Sequence, residues 1–245
     1  MIALCGQGVG CELVLAHLLL LGTKLQVYTH PGLWGERMVM QAARGGMPGT
    51  YASINDREAW QYSLPPSLII SCGYLTILDG EMLASAPAIN CHYALLPLHR
   101  GRSAVPWAII DGDRVTGVSW HWMTEGIDKG NLLIQAVCEI EPQETQASLF
   151  DQLHQMAGET FPAALRLARA EWPGAPQRGR GSYHYAGPPC GGVINPMWDD
   201  SKVERFIRAM IYPPLAPATL AGREVRTMDD FYTIANEEGD HVYVF

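Results

Sequence analysis

Three polar residues, Asn90, His92 and Asp128, have side-chain types that could act together on a carbonyl group. Asn90 and His92 stand two apart at the end of an apolar run, so on a β-strand both would project from the same face. Asp128 follows a second strand-like run and lies in a turn between Gly126 and Gly130. An amide can stabilise an oxyanion, and an imidazole backed by a carboxylate can accept a proton. Because no activated serine or cysteine accompanies them, we predict a reaction in which the substrate supplies the nucleophile.

Each of these residues also has a structural explanation when it is taken alone. Strand-end Asn and turn Asp commonly satisfy backbone groups, and a single His is commonly a packing residue. His92, His99 and His121 do not fall in a recognised metal-ligand spacing, and the six cysteines form no C-x-x-C pair. We therefore predict no metal site, and we expect the cysteines to be reduced and buried.

Composition narrows the class of protein further. The chain has 245 residues with 25 acidic and 17 basic side chains, for a net charge of −8, and 48% of its residues are hydrophobic. A chain of this length buries a core without disulfides, and its acidic balance disfavours nucleic-acid partners.

The apolar run at residues 13–21 is far shorter than the roughly 20 residues that cross a bilayer. No cationic residue precedes Lys24, so we expect no signal peptide, no membrane partner and a cytoplasmic location. A homodimer is expected only because symmetric dimers are common.

The elements that must position these residues alternate between strand-like and helix-like runs, which predicts an α/β fold with a Rossmann-like, mainly parallel sheet and flanking helices. Gly6-x-Gly8-x-Gly10 follows the first run, but Cys11 occupies the place of the third glycine of a dinucleotide fingerprint. We interpret these glycines as a tight strand-to-helix turn. The predicted strands cover residues 2–5, 24–29, 67–72, 88–91, 115–122 and 132–139, and the main predicted helices cover 12–21 and 148–172, the second capped by Thr145.

A Gly/Pro-rich segment divides the chain. Residues 173–192 contain six Gly and four Pro, which no regular element tolerates. We predict a catalytic domain at 1–172, a linker or substrate loop at 173–192, and a small C-terminal α+β subdomain at 193–245. The last part should hold a helix at 199–210 and strands near 224–227, 231–234 and 242–245.

Five short motifs occur in a fixed order around the three polar residues: Asn-x-His at 90–92, Leu-Leu-Pro-x-x-Arg-Gly at 95–101, Trp-Ala-Ile-x-x-Gly at 107–112, Thr-Gly-Val at 116–118, and Met-x-x-Gly-Ile-Asp-x-Gly at 123–130. In this combination the sequence resembles the folate-dependent formyltransferases that use N10-formyltetrahydrofolate as formyl donor. The resemblance is strong over residues 67–140 and looser over the rest of the first 170. It implies that Asn90, His92 and Asp128 form a catalytic triad. One position departs from the family pattern, since Ala94 replaces a serine that is common there.

The resemblance also implies a folate site without a metal. A carboxylate beside His92 is further expected to raise the pKa of the imidazole. Ile77 and Leu78 would equally suit an ordinary core. The implied folate-binding residues are Thr76, Ile77, Leu78, Arg102, Thr124, Glu125, Gly126 and Ile127.

Two branches of that family share the Arg100-Gly101 signature, one acting on methionyl-tRNA and one on nucleotide sugars. The acidic charge and the short region after residue 192 favour the sugar branch. The predicted acceptor is therefore a nucleotide-linked amino sugar of polysaccharide biosynthesis, specifically a 4-amino-4,6-dideoxyhexose on dTDP or UDP. Loop aromatics often pack locally and surface arginines are often solvated, so the acceptor residues are open candidates. They are Trp107, Tyr183, Tyr185, Arg208 and Tyr212, with Arg205 on the same predicted helix as Arg208.

Three alternatives remain open at this point. The chain could formylate another amine, such as a hydroxyornithine-type side chain or methionyl-tRNA. It could hydrolyse formyltetrahydrofolate, with water in place of the amine, or it could be a noncatalytic folate sensor. The joint presence of Asn90, His92 and Asp128 disfavours the sensor, because a binding module does not need all three.

Overall fold

Strands and helices alternate along the first 170 residues, as the hydrophobic pattern predicts. The computed structural model describes residues 1–59 and 65–242. Single turns of 3-10 helix occur at Arg57–Ala59 and Pro189–Gly192. The numbered elements are β1 (Ile2–Gly6), α1 (Val9–Leu20), β2 (Leu25–Tyr28), α2 (Leu33–Arg44), β3 (Gly49–Thr50), β4 (Leu68–Cys72), α3 (Gly80–Ser85), β5 (Ala88–His92), β6 (Arg100–Gly101), α4 (Ala104–Asp111), β7 (Val115–Trp122), β8 (Leu132–Glu139), α5 (Gln146–Arg169), β9 (Tyr183–His184), α6 (Asp200–Ala209), β10 (Ala218–Leu220), β11 (Arg223–Val225) and α7 (Met228–Val242).

A seven-stranded sheet forms the centre of the molecule, with the order β3-β2-β1-β4-β5-β7-β8. The pairings from β3 to β5 are parallel, whereas β7 pairs antiparallel with both β5 and β8. The prediction of an α/β fold with a mainly parallel sheet is confirmed. Because β7 runs against β5, the loop that follows β7 must turn back to reach the carboxyl end of β5.

Both faces of the sheet are covered, which explains why its inner strands read as continuous apolar runs. In β1, Ile2 and Leu4 pack in a large cluster with α1 and α5, while Ala3 and Cys5 pack in a second cluster on the other face. The same alternation in β5 sends Cys91 to the large cluster. Successive strand residues point to opposite faces, so Asn90 and His92 share the face opposite Cys91.

The turn from β1 into α1 depends on glycine. Gly6 has φ +154°, and a β-carbon there would lie 1.9 Å from the carbonyl oxygen of Cys72 on β4. A side chain at this position would push β1 and β4 apart. Gly6 therefore has a steric role in this turn, in agreement with the interpretation of the glycines at 6–10 as a strand-to-helix turn.

Helix α5 closes the large cluster and begins where the sequence predicts. The Thr145 hydroxyl accepts a hydrogen bond from the Ser148 backbone N–H at 3.2 Å, and the Ser148 hydroxyl accepts one from the Thr145 N–H at 3.0 Å. This reciprocal capping box satisfies two backbone donors that a helix start would otherwise leave unpaired. The buried side of the helix carries Leu149, Leu153, Ala157, Phe161, Leu165 and Ala168.

The region after residue 192 packs against the main sheet layer rather than apart from it. Helix α6 confirms the predicted helix at 199–210 and contacts α4, and its Val203 and Phe206 are fully buried in the same large cluster. The predicted strand near 224–227 appears one residue earlier as β11. The predicted strand at 231–234 is wrong, because these residues lie in α7. Of the predicted strand at 242–245, residue 242 ends α7 and the remainder lies outside the described residues.

The cysteine prediction is partly wrong. All six thiols are free, and Cys5, Cys11, Cys72 and Cys91 are buried. Cys138 is only half-buried, since it lies on the edge strand β8, and Cys190 is exposed in the turn at Pro189–Gly192. No helix in the described part of the chain is both long and apolar enough to span a membrane.

Burial along α1 gives a matched test of this core. Leu18 is fully buried and Leu20 is 87% exposed on the same helix. We expect Leu18→Ala to lower the free energy of unfolding by about 2–5 kcal/mol, because it leaves a cavity. Leu20→Ala should change it by less than about 0.5 kcal/mol. Urea denaturation followed by circular dichroism measures both, and equal effects of the two substitutions would contradict the assigned orientation of α1.

Candidate active site

The carboxyl end of β5 positions two of the three predicted catalytic side chains. Asn90 and His92 project from one face, and the antiparallel register with β7 places His121 beside Asn90 and Ser119 beside His92. His92 is 7% exposed, so its ring lies in a largely water-free environment. The sheet alone therefore brings the amide and the imidazole to one place.

Asp128 joins them from the loop between β7 and β8. Its Oδ2 lies 3.5 Å from His92 Nδ1, and its Oδ1 accepts a hydrogen bond from Asn90 Nδ2 at 3.4 Å. The Asp128 side chain is 9% exposed. The structure thus brings all three predicted residues within direct contact distance.

The protonation pattern of His92 follows from its partners. Its Nε2 lies 2.8 Å from the backbone carbonyl oxygen of His99, which can only accept a hydrogen bond. The neutral ring therefore carries its proton on Nε2 and leaves a lone pair on Nδ1. That lone pair lies on the side of Asp128, where a substrate N–H could be received.

His121 completes the contacts of Asn90. Its Nδ1 lies 2.8 Å from the Trp122 carbonyl oxygen, so that nitrogen donates and Nε2 is left as an acceptor. Asn90 Nδ2 lies 3.2 Å from this Nε2. The two N–H groups of Asn90 consequently point toward His121 and Asp128, and both hydrogen bonds are long enough to be exchanged for a better acceptor.

The backbone around Asp128 is held from several sides. Asp128 has φ 53°, in the left-handed region that few non-glycine residues adopt. The Gly101 N–H donates to its Oδ2 at 2.7 Å, and Arg100 Nε donates to its backbone oxygen at 3.2 Å. The Arg100-Gly101 pair in the sequence is therefore the element that aims this carboxylate.

Burial and charge set the protonation states in opposite directions. Burial lowers the pKa of His92, and the Asp128 carboxylate raises it by less, so the net pKa lies below the ordinary value. Burial would raise the pKa of Asp128, but His92, His121 and the Gly101 N–H together lower it to about 2. The prediction that Asp128 gives His92 a raised pKa is wrong in its net sign, because burial has the larger effect. Near neutral pH the site holds a neutral imidazole beside a carboxylate.

The Gly/Pro-rich segment covers this loop. Its strand β9 pairs in parallel with β6, and a β-carbon on Gly101 would lie 2.2 Å from the His184 carbonyl oxygen. Only glycine allows that approach. His184 also faces His99, with His184 Nε2 2.9 Å from His99 Nδ1, and stacks on Trp107 at 4.6 Å.

One group of possible metal ligands occurs in the described part of the chain. Atoms of His99, Asp111 and His184 lie within 4.8 Å of one another. The two nitrogens of His99 already face partners, however, with Nε2 2.7 Å from Asp113 and Nδ1 2.9 Å from His184. His99 is therefore held in a hydrogen-bond network with Asp113 and His184.

Seven of the eight predicted folate residues fall on two loops that face each other, and the eighth, Arg102, follows β6. Thr76, Ile77 and Leu78 follow β4, whereas residues 124–127 follow β7, and the Glu125 carboxylate lies 3.9 Å from where a β-carbon on Gly80 would stand. Ile77 is 66% exposed and Leu78 only 3%, so at Leu78 only the backbone could meet a ligand.

The loop after β4 is fixed by contacts from several elements. The Leu75 N–H donates to His30 Nε2, and Arg102 donates to the Leu75 carbonyl oxygen. The Asn55 side chain donates to the Ile77 carbonyl oxygen at 2.9 Å. Arg102, predicted to touch the folate, therefore also holds the backbone of this loop.

The predicted acceptor residues divide into two groups. Trp107, Tyr183 and Tyr185 lie near β6 and β9. Tyr183 and Tyr185 contact each other and Tyr185 is 82% exposed, whereas Trp107 is half-buried and stacks on His184. Tyr212 packs on Phe150 with ring centroids 5.1 Å apart. Arg208 is bound to Glu204 and to the Glu144 backbone, and with Arg205 it lines a cavity of about 650 Å³ that none of the three central residues lines.

Three residues of the site are not predicted by the sequence. The sequence analysis considers His121 only as a metal ligand and rejects it on spacing, no motif selects Ser119, and Gln177 lies in the segment interpreted as a linker or loop. Ser119 Oγ donates to the Ala94 carbonyl and accepts from the Leu96 N–H, so it fixes the loop where the family serine is absent. No local pattern in the sequence points to Ser119, because its place opposite His92 is set by the register between β5 and β7.

Comparisons with known proteins agree with this architecture. A model of the formyl transferase family matches residues 53–165. A GDP-perosamine N-formyltransferase of Brucella melitensis biotype 1 is 38% identical over 176 residues, covering 70% of this chain and 68% of the relative. A methionyl-tRNA formyltransferase of Nitratiruptor sp. is 39% identical over 117 residues, covering 47% of this chain and 39% of the relative.

A solved structure extends the likeness of the fold to nearly the whole chain. The N-formyltransferase from Helicobacter canadensis in complex with folinic acid and dTDP-3-aminofucose superposes with a TM-score of 0.75 at 16% identity, covering 92% of this chain and 86% of that one. The mixed sheet and the sequence relatives define an α/β enzyme that transfers a one-carbon group. The chain belongs to the formyl transferase family, and the predicted family is confirmed.

The net effect on His92 can be measured directly. We expect its imidazole to titrate below the ordinary pKa of about 6.5, because burial disfavours the charged form. Asp128→Asn should lower that pKa further, since it removes the charge that stabilises the imidazolium. NMR titration of histidine-labelled protein measures both, with His92→Gln assigning the signal. A wild-type pKa above the ordinary value would show that the carboxylate, and not burial, has the larger effect.

Proposed function

We propose that this chain transfers the formyl group of N10-formyltetrahydrofolate to the amino group of a nucleotide-linked amino sugar. The proposal rests on the contacts among Asn90, His92 and Asp128 in a largely buried site. The chain that carries them is 38% identical to a GDP-perosamine N-formyltransferase. An amide donor, a neutral imidazole and a carboxylate suit direct attack by an amine on a carbonyl carbon.

In the proposed reaction the attacking amine must lose a proton as its nitrogen bonds to the formyl carbon. His92 Nδ1 has the free lone pair to accept it, because Nε2 donates to the His99 carbonyl. The imidazolium that forms lies between that carbonyl at 2.8 Å and the Asp128 carboxylate at 3.5 Å. The positive charge that these two neighbours stabilise develops only as the proton is transferred. They therefore stabilise the transition state more than the ground state, which lowers the barrier.

Asn90 has the complementary role at the carbonyl oxygen. As the C=O double bond opens, negative charge develops on oxygen, and an N–H of Asn90 can turn to it from the long contacts with His121 and Asp128. When the tetrahedral centre collapses, the bond to N10 of the folate breaks and the imidazolium returns its proton to the departing nitrogen. The products are the formamide and tetrahydrofolate, and the enzyme regains a neutral His92.

For the formyl donor, we infer a site between the two loops at 73–79 and 124–127, which approach each other at Gly80 and Glu125. The first loop carries the exposed Ile77 and Leu75, and the second carries exposed Thr124, Glu125 and Ile127. Apolar side chains can cover a flat ring while backbone groups bind its polar edge. The donor supplies the formyl carbon, and these residues would hold it next to Asn90 and His92.

For the acceptor, the exposed aromatic group at β6 and β9 is the better placed of the two groups. Tyr183 lies against Gly101, whose N–H binds Asp128, so a ligand on Tyr183 and Tyr185 would be next to the proposed base. Aromatic faces of this kind stack on nucleotide bases and cover sugar rings. The dTDP or UDP carrier is the sequence expectation, and the Brucella relative adds GDP as a carrier to be tested.

Two other acceptors are separated by the same experiment. Methionyl-tRNA is the acceptor named for relatives that match between 42% and 54% of this chain, and the net charge of −8 disfavours binding a polyanion. Water as acceptor would make the chain a formyltetrahydrofolate hydrolase.

The first test is a turnover assay. The protein is incubated with N10-formyltetrahydrofolate and, in separate reactions, with a panel of GDP-, dTDP- and UDP-linked amino sugars, with methionyl-tRNA, or with no acceptor. Products are followed by mass spectrometry. We expect one class of acceptor to gain a single formyl group with stoichiometric tetrahydrofolate. Formate released without an acceptor product would favour the hydrolase, and formylation of methionyl-tRNA alone would replace the sugar.

The proposed roles of His92 and Asp128 are tested by His92→Ala and Asp128→Asn at saturating substrates. Each should lower kcat by about 10²-fold or more, because the amine then keeps its proton or the imidazolium loses its counter-charge. His17→Ala, on α1, and Asp229→Asn, on α7, are matched controls that should retain wild-type kcat. Turnover by either active-site variant within about threefold of wild type would refute the assignment.

A further inference from the structure

The Gly/Pro-rich segment sends one polar side chain into the active-site loop. Gln177 is half-buried, while its neighbours Pro176 and Arg178 are exposed. The chain is anchored on both sides of it. Before Gln177, Ala175 forms a bridge to Leu132 on β8, and after it β9 pairs with β6.

Every polar atom of the Gln177 side chain has a partner near Asp128. Its Oε1 accepts from Arg100 Nη2 at 2.6 Å and from Arg100 Nε at 3.2 Å. Its Nε2 donates to the carbonyl oxygens of Asp128 and Gly130, both at 2.8 Å. Only this orientation of the amide matches each donor with an acceptor, so the side chain is fixed.

These contacts act on a backbone that needs support. Asp128 has the left-handed φ of 53°, a conformation that is sterically unfavourable for a residue with a β-carbon. Its carbonyl oxygen receives Gln177 Nε2 and Arg100 Nε together, and its carboxylate receives the Gly101 N–H. Arg100 and Gly101 are adjacent, so Gln177 links the backbone and carboxylate supports of Asp128 into one structure.

We infer that Gln177 is a positioning residue for the proposed formyl transfer, holding the Asp128 backbone so that its carboxylate stays beside His92. The inference rests on the proposed function for its kinetic consequence. It assigns the segment at 173–192 a direct part in the active site, since one of its side chains sets the position of a proposed catalytic group without touching the reacting atoms.

Loss of these Gln177 contacts should change the pKa of His92. The Asp128 carboxylate raises the pKa of His92 against the lowering effect of burial. If Asp128 moves away, that pKa must fall, and the acidic limb of the rate profile must move to lower pH. The other charged or titratable groups that act on His92 are His121 and His99, and neither contacts Gln177 in the described structure.

The test compares two substitutions in the full-length protein. Gln177→Ala removes the contacts with both Arg100 and the two carbonyl groups. Gln177→Glu keeps an acceptor for Arg100 but places a carboxylate oxygen against the Asp128 and Gly130 carbonyls. We expect each to lower kcat by about 10-fold or more, with KM for both substrates changed by less than about threefold. Gln143→Ala, which removes the same side chain from an exposed turn, is the control and should retain wild-type kcat.

The deciding readout does not require turnover. NMR titration should show a lower His92 pKa in Gln177→Ala than in wild type, with a shift no larger than that of Asp128→Asn. An unchanged His92 pKa in a folded Gln177→Ala protein would overturn the inference, as would full kcat in Gln177→Glu. If the wild type formylates no acceptor, the proposed function fails, while the titration still decides whether Gln177 positions Asp128.

Discussion

The meeting of the Asp128 carboxylate with the His92 imidazole is the interaction on which the rest of the site depends. His92 ends β5, whereas Asp128 lies in the loop after β7, the antiparallel neighbour of β5. The β7–β8 loop must turn back to bring the carboxylate to the imidazole. The return is made by a left-handed residue, which the Gly101 N–H and the Arg100 side chain stabilise. The seven-stranded sheet supplies the imidazole, and the returning β7–β8 loop supplies the carboxylate.

Burial gives that pair its chemical character. With 7% exposure, His92 stays neutral near neutral pH, although a carboxylate lies beside it. A neutral imidazole can accept a proton, whereas a stronger ion pair would hold the ring protonated and block that role. The distance of 3.5 Å between His92 Nδ1 and Asp128 Oδ2 is consistent with this balance. The carboxylate is near enough to stabilise the imidazolium after transfer without fixing the proton beforehand.

The surrounding structure compensates for features that the sequence lacks. Residue 94 has no hydroxyl, but Ser119 on β7 supplies one. This hydroxyl donates to the Ala94 carbonyl oxygen and accepts from the Leu96 N–H, in the loop that follows β5. The only regular structure in the Gly/Pro-rich segment is the short β9 and one turn of 3-10 helix, yet β9 pairs with β6 and fills the space over Gly101. The β7–β8 loop, which carries Asp128, is therefore supported by the segment at 173–192, although the two are far apart in the chain.

Local sequence patterns were sufficient to establish the strands and helices whose periodicity is strong, including the shared face of Asn90 and His92 and the Thr145 cap of α5. These features follow from contacts between near neighbours in the chain. Residues 231–234 show where the local pattern misled, because Phe231 and Ile234 are buried three residues apart on one helical face, and Thr227 with Asp230 caps that helix. The contact of Gln177 with Asp128, 49 residues earlier, and the dominance of burial over the carboxylate at His92 emerge only in the folded chain. Both depend on packing between distant segments, and no local spacing encodes the distance or the solvent exposure that such packing creates.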